Sequence, residues 1–137
     1  MYYDIVSTRK RKTMKINKPI DIYNAIKRYG NQKQEYFIVI TLNSVKDIIA
    51  IHIATIGLVN QTIIHAREIF KHVFLDNAVG LIIAHNHPSK ELKPSADDID
   101  ITKHISEVSK IMGIHFLDHL IINKKTFYSF RQNGKIS

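Results

Sequence analysis

At 137 residues the chain has room for one domain with its own core, and 45% hydrophobic and 23% charged residues make a globular composition. It contains no cysteine, which excludes disulfides, thiolate metal sites and a cysteine nucleophile, so any metal must be held by histidine and carboxylate. The net charge of +8 sits at the front: residues 1–33 carry nine basic side chains against two acidic ones, and the remainder is nearly neutral.

In chain order, residues 1–16 read as a basic arm containing Arg9-Lys10-Arg11-Lys12. Such an arm is expected to be solvated and could attract nucleic acid or an acidic partner, although no aromatic stacking pattern accompanies it. Residues 1–12 hold no apolar run for a signal peptide, and the apolar stretch 48–56 is too short to span a bilayer. The expectation is a soluble, cytoplasmic protein with no membrane association. The sequence is silent on oligomeric state.

Residues 17–137 read as one domain. Asn17-Lys18-Pro19 is a helix start and Gly30 its stop, with Ile22, Ile26 and Tyr29 at helical spacing. Residues 36–42 and 48–56 read as a hairpin of two strands, rich in β-branched residues. A helix follows over 66–77, with Ile69, Phe70, Val73 and Phe74 facing inward, and then a short buried strand over 79–84. After a proline-punctuated loop, Ser95 opens a helix that Gly113 ends, with Ile101, Ile105, Val108 and Met112 on its inner face. Strands over 114–122 and 126–130 close the chain. This order predicts a mixed α/β fold, a central mixed β-sheet flanked by helices.

Of eight histidines, His72 and His104 fall mid-helix as surface or boundary residues, and His52 reads as a core histidine in an apolar strand. The exception is His85-Asn86-His87-Pro88-Ser89, followed by Ser95-Ala96-Asp97-Asp98. Side chains two apart in an extended chain share a face, so His85 and His87 emerge together where a buried strand meets a loop that Pro88 begins. Ser95 is a good N-cap, and Asp98 lies in the first turn of the helix it opens. If that turn returns to the imidazoles, two histidines and one carboxylate hold a zinc ion with its fourth tetrahedral position open, as catalytic zinc sites require. Taken alone, His-x-His is a weak signal, and Ser-x-x-Asp reads equally as a helix cap.

The spacing His85-x-His87, seven residues, Ser95, two residues, Asp98 resembles the metal half of the JAMM signature of JAB/MPN metallopeptidases. The wording His-Asn-His-Pro-Ser is similar to the RadC branch, as are His65-x-Arg67-Glu68-Ile69-Phe70, Leu117-Asp118-His119-Leu120-Ile121-Ile122 and Tyr128-Ser129-Phe130. The likeness covers roughly residues 17–135. It implies an MPN/JAB1 (cytidine deaminase-like) architecture, a short form without the helix-hairpin-helix region of longer relatives, and a zinc-dependent peptidase acting on a protein or peptide substrate. The chain departs from the usual RadC pattern at Ala66, where proline is common, and at Lys90, where glycine is common.

The resemblance also implies an upstream glutamate as general base. Glu35, just before the strand 36–42, is the choice, and Glu68 is the competitor. Ser95 would both cap its helix and donate to the developing oxyanion. Asp97 and Asp100 are expected to face solvent, and Asp118-His119 to form a charge-paired couple that could orient a strand or stand behind the metal ligands, with a structural role by default. Two rival readings stay open: a metal-dependent nuclease, suggested by the letters His-Asn-His and the basic front end, and a non-catalytic MPN binding module. A zinc deaminase would need cysteine ligands, which are absent.

Overall fold

The computed structural model describes residues 14–57 and 64–136. Among them, helix α1 (Pro19–Ile26) runs into a 3-10 turn (Lys27–Tyr29) and is followed by strands β1 (Glu35–Leu42) and β2 (Ile48–Gly57), helix α2 (Ala66–Leu75), strand β3 (Gly80–Asn86), helix α3 (Ala96–Met112) and strands β4 (His115–Ile122) and β5 (Phe127–Ser129). The strands form one sheet in the order β2-β1-β3-β4-β5. The β3–β4 pair is parallel, joined through α3, and the other pairs are antiparallel. This is the mixed α/β fold expected from the sequence and is consistent with the JAB/MPN architecture.

Alternation along the strands divides the core in two. Ile38, Ile40, Leu42, Ile82, Ala84 and Leu120 pack with Ile22 and Ile26 of α1. Val39, Leu81, Ile83 and Ile121 pack on the other face with Ile69 and Val73 of α2 and Ile105 of α3. Every residue of β3 is buried, as a central strand covered by helices on both faces requires.

The chain departs from the expected elements in detail. The first helix tightens into the 3-10 turn at Lys27 instead of running on to Gly30. The third strand reaches through Asn86, so His85 belongs to the sheet. Phe74 and Met112 are exposed at 55% and 45%, because their partners on the inner stripes of α2 and α3 already fill the space under the sheet. The inner stripe of α3 is completed by polar residues, Asp98, Thr102 and Ser109. His72, expected near the surface, is buried, its ring stacked 4.3 Å from that of His52. That contact lies in a polar niche where His52 Nε2 sits 2.6 Å from Asp76 Oδ2 and Thr41 Oγ1 donates to the same oxygen at 2.6 Å.

Of the basic arm, residues 1–13 lie outside the described residues. At its end, Met14 O accepts the Ile48 N–H at 2.8 Å, Ile16 N–H donates to Lys46 O at 2.9 Å, and the Ile16 side chain is buried. Lys15 Nζ meets Asp47 Oδ1 at 3.2 Å. Among the described residues, no helix is long and apolar enough to cross a membrane.

Candidate metal centre

The last pair of the β1–β3 ladder is Phe37 opposite His85, and the chain leaves the sheet one residue later. His85 is buried and stacks on Phe37 with ring centroids 6.0 Å apart, which fixes its orientation. His87, two residues on, shares its face: the two Nε2 atoms lie 3.0 Å apart. Helix α3 starts beside them. Asp98 N–H donates to Ser95 Oγ at 3.0 Å and Ser95 N–H donates to Asp98 Oδ2 at 2.9 Å, a reciprocal cap that locks the first turn and aims the carboxylate. Asp98 Oδ1 then sits 3.0 Å from His85 Nε2, and Asp98 Oδ2 sits 3.0 Å from His87 Nε2. The cap reading of this turn holds, and the same cap aims the carboxylate at the two imidazoles. Asp97 and Asp100 are exposed, as expected.

Hydrogen bonds behind the cluster settle which ring nitrogens face it. Thr102 Oγ1 donates to Asp98 O at 2.7 Å, so it accepts from His119 Nδ1–H at 2.5 Å. His119 Nε2 is therefore the acceptor for His85 Nδ1–H at 3.0 Å. His87 Nδ1 lies 2.8 Å from the Glu91 carbonyl, which can only accept. Both imidazoles thus spend their Nδ1–H outward, and in their neutral form they turn Nε2 lone pairs toward a carboxylate. Three electron-pair donors with their ligating atoms within 4.8 Å of one another could hold a cation between them. Two nitrogens and one oxygen are a donor set suited to zinc.

A proton on His87 Nε2 is the alternative to a cation at this point. Burial alone would raise the Asp98 carboxyl, but hydrogen bonds from His85 and His87 hold it far below the ordinary carboxylate range. For His87, burial acts downward, yet the bond and charge of Asp98 leave its imidazolium above the usual value. His119 is pushed well below, first by full burial and then by the neighbouring His85, so it remains neutral and able to accept.

Glu35 opens β1 beside this cluster, half-buried, and its carboxyl is raised above the ordinary value. Burial is the main cause; the charges of His85 and His87 oppose it and that of Asp98 adds to it. Glu68 is exposed and accepts the His65 N–H on Oε1 at 3.0 Å in the first turn of α2.

Two residues escaped the sequence reading: Thr102, which with His119 orients His85, and Asn86, which lies between the two histidines and holds the chain entering β1. The expected Asp118–His119 couple does not form, because neighbours on a strand point to opposite faces. Asp118 instead accepts from Ser129 Oγ at 2.5 Å and from the Arg131 N–H at 3.0 Å. The buried polar stripe of α3, recurring as Asp98 and Thr102 at a spacing of four, was the available signal for Thr102. A cavity of about 360 Å³ lies at the opposite end of the sheet, lined by Leu42, Gly80 and Asp118, away from His85, His87 and Asp98.

A mixed five-stranded sheet between helices, with two histidines at the end of its central strand and an aspartate from the following helix, defines a JAB/MPN-type domain. A family model described as a RadC-like JAB domain matches residues 16–135. A UPF0758 protein of Methanospirillum hungatei is 42% identical over 105 residues, covering 77% of this chain and 47% of its own length. A UPF0758 protein of Geobacillus thermodenitrificans is 42% identical over 103 residues, 75% of this chain and 46% of that one. One from Alkaliphilus oremlandii is 38% identical over 132 residues, 94% of this chain and 56% of its own. The chain belongs to the RadC family, and it spans about half the length of these relatives.

Proposed function

We propose that this domain is a zinc-dependent hydrolase of the JAMM type, cleaving peptide or isopeptide bonds. The supporting observation is the pair of outward-committed Nδ1–H groups, which leaves two Nε2 lone pairs and the Asp98 carboxylate facing one point. A zinc ion held by His85, His87 and Asp98 would supply a polarised substrate carbonyl and a water acidified towards about 7.

The protein's own contribution is proton handling and positioning. Glu35, raised by burial and close to the ligands, is suited to accept a proton from the attacking water and return it to the leaving amine. Ser95 Oγ, held at the helix cap, would offer its hydroxyl hydrogen to the oxyanion while its backbone N–H keeps Asp98 in place. The substrate would be a protein or peptide, and a cytoplasmic location suits a chain without cysteine.

The deciding experiment measures metal content and cleavage together. Purified protein should carry one zinc per chain, and His85→Ala and Asp98→Ala should carry none. Zinc-loaded protein should cleave peptide or isopeptide substrates and leave DNA intact. DNA cleavage with magnesium would favour the nuclease reading, and stable zinc binding with no hydrolysis of any peptide bond would favour a binding module.

A further inference from the structure

We infer that Asn86 is a positioning residue that sets the distance between Glu35 and the two histidines. This rests on the proposed role of Glu35.

Backbone pairing between β1 and β3 stops at Phe37 and His85. Where it stops, the Asn86 side chain takes over. Its Oδ1 accepts the Tyr36 N–H at 2.7 Å, and its Nδ2 donates to Gln34 O at 3.0 Å and to Gln32 O at 3.2 Å. The carboxamide acts as a surrogate peptide group that continues the ladder past the end of the strand. Its orientation is fixed by its partners, since an amide N–H can only meet the oxygen and two carbonyls can only meet the nitrogen. All of its hydrogen-bonding hydrogens are used, and the residue is fully buried.

Gln34 O and Tyr36 N–H are the backbone groups on either side of Glu35. Asn86 therefore grips the peptide units that flank the base, while its chain neighbours on the other side are His85 and His87. One side chain links the proposed base to the metal ligands through a single residue of backbone. At the surface, Lys90 Nζ donates to Asn31 Oδ1 in the same 31–34 segment at 3.2 Å. Removing the carboxamide leaves three backbone groups without it; Glu35 stays paired with Gly57 in the β1–β2 ladder, but its peptide units lose their tie to the β3 side and can shift relative to the cluster.

Cobalt-loaded protein provides a readout that needs no substrate, because the pH midpoint of its visible absorption follows the charge around the ion. Glu35→Gln removes a neighbouring negative charge and should lower that midpoint. Asn86→Ala should lower it too, by at least half as much, while keeping one cobalt per chain. The Asn86→Ala/Glu35→Gln double variant should match Glu35→Gln alone. Asn86→Ser, the milder change, should fall between wild type and Asn86→Ala and carries the test should the alanine variant fail to fold. A wild-type midpoint in folded Asn86 variants, with a shifted one in Glu35→Gln, would overturn the positioning role and leave the proposed function standing. An unshifted midpoint in Glu35→Gln would overturn both.

Discussion

His119 Nε2 lies 3.0 Å from His85 Nδ1, and this contact between neighbouring parallel strands decides which nitrogen of His85 faces Asp98. His119 is in turn fixed by Thr102 and by stacking on Phe130, with ring centroids 4.5 Å apart. His119→Phe keeps the stack and removes the acceptor. It should weaken zinc binding by about 10–100-fold, the usual effect of losing a partner behind a ligand. Competition titration against a chelator measures it, and unchanged affinity would show that His85 needs no such support.

Glu35→Gln keeps the shape of the side chain and removes its proton acceptor. Peptide hydrolysis should fall about 10²–10⁴-fold with zinc content unchanged. Glu68→Gln should leave hydrolysis intact, since Glu68 serves the first turn of α2.

His72 gives the fold an acid-sensitive point. Burial, helped by the charges of His52 and Lys71 and opposed by Asp76, pushes its imidazolium down to about 4. The unfolded chain, with its ordinary value of about 6.5, binds more protons between these two values. Stability is therefore complete above about pH 6.5 and declines as pH falls towards about 4. In urea, the midpoint of wild type should drop more between pH 7 and pH 5 than that of His72→Leu. Equal drops would remove His72 from the acid response.

Gly30 closes the first loop against the β4–β5 turn. A Cβ there would lie 2.3 Å from Asn123 O, a backbone atom that cannot swing aside. Gly30→Ala should lower stability by about 2 kcal/mol or more, through displacement of the segment leading to Glu35. A thermal melt measures it, and a variant as stable as wild type would show that the two loops part easily.

Periodicity made the order of elements legible, because strands and helices bury residues at different spacings. The ligand candidates were legible for the same reason: His85 and His87 are two apart on a strand, and Ser95 and Asp98 are three apart at a helix start. These are local rules, and one sequence contains them. The partners across the sheet are another matter. That His119 on β4 would reach His85, that Asn86 would hold the backbone around Glu35, and that His72 would turn inward to His52 depend on strand order and register. Those are set by packing between segments 20 to 54 residues apart, and no spacing along the chain encodes them. The sequence named the groups that can bind a metal; the tertiary structure decided which way their lone pairs face.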